Sequence, residues 1–148
     1  MAKAAEAPLF LQAWVAFLRA HSRVVARVSK DLEAACGISL AWFDVLFQLS
    51  VGPAAGRRMN DLADAVLLSK SGLTRLVDRM EEAGLVVRAA VPGDRRSLHV
   101  HLTPDGRRLV TRARRIVRQS VVEHFGRHLA ESDLTTLRDS LSRVVLEQ

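Results

Sequence analysis

Apolar residues recur at helical spacing from Leu9 to Ala35, through Phe10, Trp14, Phe17, Val24, Val28 and Leu32, and Gly37 follows as a stop signal. This predicts one long first helix with an aromatic, apolar stripe. Ser39 is placed to cap a second helix carrying Trp42, Phe43, Val45, Leu46 and Leu49, which ends at the turn-rich run Val51-Gly52-Pro53-Ala54-Ala55-Gly56. A short third helix is expected from a cap at Asn60 through Val66, with Leu62, Ala63 and Val66 inward, and Ser69 then opens a fourth. In that fourth helix, about Ser69 to Ala83, Leu73, Leu76, Val77 and Met80 fall at i, i+3, i+4 and i+7, while Ser71, Thr74, Arg75 and Asp78 repeat the spacing on the other side. One face is core and the other is polar.

Gly84 ends the fourth helix, and the β-branched stretch 85–91 favours extended chain. Residues 92–97, Pro-Gly-Asp-Arg-Arg-Ser, form a turn-rich tip, and Leu98-His99-Val100-His101-Leu102 alternates as a half-buried return strand should. On that alternation His99 and His101 point to the outer side of the hairpin. Thr103-Pro104 joins an N-cap to a proline at the first helical position and starts a long helix. Its expected inward stripe is Leu109, Ala113, Ile116, Val117 and Val121. A last helix begins near Ser132 and carries Leu134, Leu137, Leu141, Val144 and Val145 on one side.

Two short adjacent helices, the second with a polar outer face, followed by a hairpin and framed by long helices, predict a mostly α fold with a small β-hairpin wing. The expected organisation is one folded unit over 1–148, with a winged helix-turn-helix lobe at 38–102 and helical regions at 9–36 and 103–148 that serve dimerisation. Composition then narrows the partners. The chain of 148 residues is 49% apolar, enough for one modest core. No run approaches the roughly 20 apolar residues of a membrane-spanning helix, and the amino terminus lacks a secretion signal, which predicts a cytoplasmic protein with no membrane partner. The single cysteine, Cys36, permits no intrachain disulfide and no thiolate-built zinc site.

The net charge of +6 matters through its location. Between Arg57 and Arg118 stand fourteen Lys or Arg against seven Asp or Glu, and outside that stretch the balance is slightly acidic. The excess positive charge therefore coincides with the fourth helix, the hairpin and the start of the long helix. An α-helix fits the major groove of double-stranded DNA, and the short side chains of Ser69, Ser71 and Thr74 allow close approach while their hydroxyls donate to phosphates or base edges. Arg75 is long enough to reach a base, where a bidentate grip on guanine is worth about 1–3 kcal/mol of discrimination. Lys70, near the helix start, suits a phosphate contact. At the hairpin tip Arg95 or Arg96 suits the narrow minor groove, and Asp94 makes sense as an acceptor that preorganises the tip or Arg96.

Several segments resemble the multiple-antibiotic-resistance regulator (MarR) family: Leu62-Ala63, the run Leu73-Thr74-Arg75-Leu76-Val77-Asp78-Arg79-Met80-Glu81-Glu82-Ala83-Gly84-Leu85-Val86, the wing Gly93-Asp94-Arg95-Arg96, and Leu102-Thr103-Pro104-Asp105-Gly106. The likeness spans about residues 40 to 112. It implies a homodimeric repressor that binds a pseudopalindromic operator, with Thr74 and Arg75 on the reading helix and Asp94 supporting a minor-groove arginine at Arg96. The resemblance also implies a small aromatic or anionic effector between the helical frame and the DNA-binding lobe, with Trp14, Phe17, Trp42 and Phe43 as the residues to inspect and no other cofactor. Leu67 departs from the family, which often has a turn glycine there.

Other readings compete. The polar face of the fourth helix and the arginines at 107, 108, 112, 114, 115 and 118 are also what an ordinary solvated surface shows. The aromatic residues are also what a packed core contains. Cys36 invites an oxidant-sensing role by analogy with relatives that surround such a cysteine with tyrosines, but this chain has none, and packing is the plainer role. His124 and His128 share a helix face with no further metal ligand identifiable in sequence, so no metal is expected. The rival function is a protein-interaction module with an incidental basic face. An enzyme ranks third, since no nucleophile and base pairing, phosphate loop or paired carboxylates is found.

Overall fold

The computed structural model describes residues 7–66, 70–91 and 94–146, with side-chain environments for all of these except 70, 91 and 94–97. The elements are α1 (Leu9–Cys36), α2 (Leu40–Ser50), β1 (Arg57–Arg58), α3 (Met59–Ala65), α4 (Lys70–Glu82), β2 (Val86–Val91), β3 (Asp94–Leu102), α5 (Pro104–His124) and α6 (Glu131–Leu146), with a single 3-10 turn at Gly126–His128 between the last two. The chain is mostly helical, and its strands form one antiparallel sheet in the order β1-β3-β2. Among the described residues no single helix is long and apolar enough to cross a membrane.

Residues divide into two compact units, one built from the stretches up to Lys30 and from Gln119 onward, the other from Asp31 to Arg118. The central unit holds the core. Leu46, Leu62, Leu73, Val77, Met80 and Val100, from α2, α3, α4 and β3, are almost wholly removed from water and pack together with Leu32, Val86, Val110 and Ala113. Burying side chains of this size gives about 1.5–3 kcal/mol each, which is what sets α4 against α3 and the sheet.

Local signals fix the ends of the elements. Ser39 accepts the amide of Trp42 and caps α2 as expected. Thr103 caps α5 by accepting the Gly106 amide at 3.0 Å, and its hydroxyl also donates to the Gly84 carbonyl at 2.7 Å. Gly84, with φ of +71°, takes the left-handed turn that ends α4, and the Thr103 amide bonds the Leu85 carbonyl. A Cβ on Gly106 would overlap that Leu85 carbonyl oxygen, so only glycine lets α5 start this close to the end of α4. The start of α5 is thereby pinned to the end of the fourth helix.

Four expectations are corrected. Asn60 does not cap α3; the helix starts at Met59 and its N-cap residue is Arg58, which makes no side-chain cap, because Arg57 and Arg58 are drawn into pairing with Val100 and His99 as β1. The return strand begins at Asp94 rather than Leu98, after a register shift between Ala90 and Val91. On α5, Ser120 is buried while Val121 is 38% exposed, so the inward stripe runs through Val110, Ala113, Val117 and Ser120. The aromatic residues of α1 are not core: Trp14 is 55% and Phe17 39% exposed, whereas Trp42, Phe43 and Phe47 are partly buried against the central core. Helical periodicity reports that a stripe is apolar, not that its own chain covers it. The departure at Leu67 and the cap at Ser69 lie outside the described residues.

Candidate nucleic-acid interface

The outward side of α4 is built by the packing of its inward side. With Leu73, Leu76, Val77 and Met80 buried, the helix must present Ser71, Thr74, Arg75, Asp78 and Arg79 to solvent, and all five are exposed. Arg75 has no acidic partner among the described residues and stands free on the surface. Arg79, one turn further along the same side, was not among the sequence candidates; its i+4 spacing from Arg75 was the available signal. Lys70 occupies the first turn of α4.

The orientation of α4 relative to the wing is held by a residue that sequence reasoning missed. Arg88, on β2, donates to Asp78 Oδ1 and to Glu81 Oε2, each at 2.6 Å, and its backbone amide donates to Glu81 Oε1 at 2.9 Å. Burial works against the charged guanidinium, but the hydrogen bonds and charges of Asp78 and Glu81 outweigh it and move the Arg88 pKa upward, so it stays protonated. The usable signal was two acids three apart at the end of a helix followed by a lone arginine in the next strand. Asp78, which by sequence belonged to the polar outer face, is therefore a structural anchor.

Backbone pairing carries β3 from Leu102 out to Asp94, placing Asp94, Arg95 and Arg96 at the far end of the β2-β3 hairpin from the core. The sequence assignments of Pro92, Gly93 and of an Asp94 to Arg96 contact lie outside what is described. At the hairpin's root, β1 and the preceding loop cover the edge of β3. His99 shares a hydrogen at 2.8 Å with the Ala55 carbonyl and receives one from Arg58 Nε at 3.4 Å, and the His101 ring lies over Gly56. These histidines are partly buried, contrary to the outward, solvated position that alternation alone suggested, because a two-residue strand leaves no periodic trace in sequence.

The remaining candidates separate. Trp14 and Phe17 stack at 6.0 Å between ring centres and belong to the unit made by the outer stretches. Trp42 and Phe43 belong to the central unit, where Phe43 stacks on Phe47 at 5.8 Å. Cys36 is partly buried against the core. Among the described residues no group of three or more His, Cys, Asp or Glu is arranged to hold a metal ion.

Two adjacent short helices with an outward polar second helix, followed by a strand pair whose tip projects beyond it, define a winged helix-turn-helix protein. The sequence profile of the MarR family matches residues 37–97. The chain is 32% identical over 133 residues to the HTH-type transcriptional regulator PecS of Dickeya dadantii, an alignment covering 83% of this chain and 76% of PecS. Among solved structures it is similar to AbsC, a MarR family transcriptional regulator from Streptomyces coelicolor, with 33% identity, a TM-score of 0.84, and coverage of 91% of this chain and 90% of AbsC. It is also similar to CouR from Rhodococcus jostii RHA1 bound to p-coumaroyl-CoA, at 29% identity and a TM-score of 0.77, over 90% of this chain and 93% of CouR. CouR bound to a 23-mer DNA duplex gives 28% identity and a TM-score of 0.77, over 88% of this chain and 89% of that one. The chain belongs to the MarR family of transcriptional regulators.

Proposed function

We propose that this protein is a homodimeric, cytoplasmic repressor that binds a pseudopalindromic DNA operator and is released by a small aromatic or anionic effector. The observation that carries the reading is the exposed, unpaired Arg75 beside Ser71 and Thr74 on a helix whose opposite face is wholly buried. Such a helix has a fixed outward side of the size and chemistry that a major groove accepts. Ser69 and Lys70 contribute phosphate contacts at its start, and Asp94, Arg95 and Arg96 form the wing that lies along the minor groove. Binding of a relative to a DNA duplex supports the same assignment.

Dimerisation is supported by the apolar surface of the outer stretches. Phe10, Trp14, Val144, Val145 and Leu146 are each more than half exposed, far more apolar area than a soluble monomer of this size leaves in water. Two copies would place their reading helices about 34–36 Å apart for successive major grooves, and an effector that alters this spacing weakens binding. That a relative binds p-coumaroyl-CoA supports an effector of the aromatic or anionic kind.

The test is fluorescence anisotropy on duplex from the regulator's own promoter region, with scrambled duplex as reference. Arg75→Ala is expected to lose about 1–3 kcal/mol, roughly five- to hundredfold in affinity, on the cognate duplex and little on the scrambled one. Equal loss on both refutes base reading by Arg75. Failure of the unaltered protein to prefer its promoter duplex at physiological salt favours the protein-interaction rival instead.

A further inference from the structure

A cleft of about 520 Å³ opens between the end of α2, the loop 51–56, β3 and the first three turns of α5. It lies wholly within the central unit, and its volume is that of a small-molecule site. Leu49, Pro53, Val100 and Val110 give it an apolar part. His101, Arg107, Thr111 and Arg114 give it a polar one, and no carboxylate lines it. Residues 107, 111 and 114 follow the i, i+4, i+7 spacing of one helix face, which is why both arginines border the same opening.

The positive groups here are not consumed by the fold. Arg108 on the neighbouring face pairs with Asp105. Among the described residues the Arg107 guanidinium has no partner, and the His101 ring nitrogens make no hydrogen bond. Arg114 rests on the Phe47 ring, 5.4 Å from its centre, which holds the charge in place without neutralising it. The loop wall is preformed. Arg57 Nε donates to the Gln48 carbonyl at 3.0 Å, and a Cβ on Gly52 would meet that Nε at 2.6 Å. Gly56, with φ of +77°, lies so close to His101 that a Cβ would meet its ring atoms at 2.6–2.8 Å. A wall set by fixed side chains needs little ordering when a ligand arrives.

We propose that this cleft binds a small organic carboxylate, with the anionic group held by Arg107 and Arg114 and the apolar body against Leu49, Val100 and Val110. The chemistry selects the class. Guanidinium groups grip carboxylate or phosphate in the same bidentate manner, and uncompensated positive charge in a concave site concentrates anions. The apolar part then favours a carboxylate carrying hydrocarbon over inorganic phosphate, which gains nothing from burial there. Its regulatory consequence rests on the function proposed above: the loop leads into β1, whose two residues run directly into α3, and β3 is a strand of the wing, so an occupant bears on both halves of the reading head.

The experiment is a fluorine NMR titration of the full chain with 4-fluorobenzoate, without DNA, alongside 4-fluorobenzamide and competing inorganic phosphate. Saturable binding of the benzoate is expected, with none for the benzamide and no displacement by equimolar phosphate. Arg107→Gln and Arg114→Gln are each expected to weaken binding about tenfold or more, while Arg112→Gln, outside the cleft, leaves it unchanged. All three side chains are exposed, and circular dichroism confirms that each variant folds. The proposal is overturned if benzamide binds as well as benzoate, if phosphate displaces it one for one, if neither cleft variant weakens binding, or if Trp14→Ala abolishes it while Arg107→Gln does not. Because no DNA is present, loss of this result leaves the operator reading standing, and a failed promoter titration beside intact benzoate binding removes the operator reading alone.

Discussion

Replacing Arg88 by Gln tests how the reading helix is held. The wild-type side chain makes two charge-assisted bonds of 2.6 Å, to Asp78 and Glu81, and is itself only 21% exposed. Bonds to charged groups are worth about 1.5–3 kcal/mol when shielded, while exposed ion pairs contribute about 0.2–1 kcal/mol. Asp78 is half exposed, so its share belongs near the lower range; Glu81, at 36%, lies between the two. The Arg88 amide still donates to Glu81 in the variant, which limits the loss. The expected cost is therefore about 1–2 kcal/mol, or a fall in Tm of roughly 3–8 °C.

Urea unfolding of wild type and variant at 0.05 M and 1 M NaCl measures it. The difference should shrink at high salt, since the half-exposed Asp78 pairing is screened while the Glu81 pairing is screened less. Adding Glu81→Gln to Arg88→Gln should cost less than the two single changes together, giving a coupling of about 0.5–1.5 kcal/mol. Equal unfolding midpoints for wild type and Arg88→Gln, or strictly additive single changes, would refute the view that this cluster fixes α4 to the wing.

Gly106→Ala should destabilise by about 1–3 kcal/mol although alanine is the better helix former, because the added Cβ runs into the Leu85 carbonyl; a Tm at or above wild type would contradict that packing. Asp44 gives a pH-dependent prediction. Burial raises its carboxyl pKa above the ordinary 3.8, so the folded chain keeps a proton that the unfolded chain has already released, and the ionised form costs stability at neutral pH. Asp44→Asn should therefore raise the urea midpoint relative to wild type at pH 7, with the gain fading as pH falls through the raised pKa and gone below 3.8; a gain that persists at pH 3 would sink the electrostatic cause. Phe10→Glu combined with Val145→Glu should shift the protein from dimer to monomer in sedimentation velocity, and an unchanged sedimentation coefficient would show that these exposed groups do not mediate association.

The main elements were legible because their signals are periodic or local. Leu73, Leu76, Val77 and Met80 announced which side of α4 is buried, and Ser39, Gly84 and Thr103 announced where helices start and stop. Those signals also fixed the exposed position of Ser71, Thr74 and Arg75. What escaped detection depends on contacts between segments far apart in sequence. β1 is two residues long and exists only because β3 lies beside it, so both the start of α3 and the covering of His99 and His101 followed from a pairing with no local signature. Arg88 is an isolated charge in an apolar strand whose partners lie seven and ten residues away. The cleft beside Arg107 and Arg114 arises from four segments, and only the helical spacing of its arginines was visible along the chain.

Three attachments hold α4 within the central unit: its buried stripe, the Arg88 cluster on β2, and the Gly84–Leu85 turn gripped by Thr103 and Gly106 at the head of α5. The first sets which side of the helix faces out, and the other two set its angle to the wing and to α5. Side chains packed at crystal-like density do not bend continuously, so a shift at the head of α5 or along β3 carries the reading helix with it. The carboxylate cleft borders both of those elements. A ligand there need not touch Arg75 to change where Arg75 points, and the same coupling requires that bound operator alter the cleft's affinity for carboxylate by an equal factor.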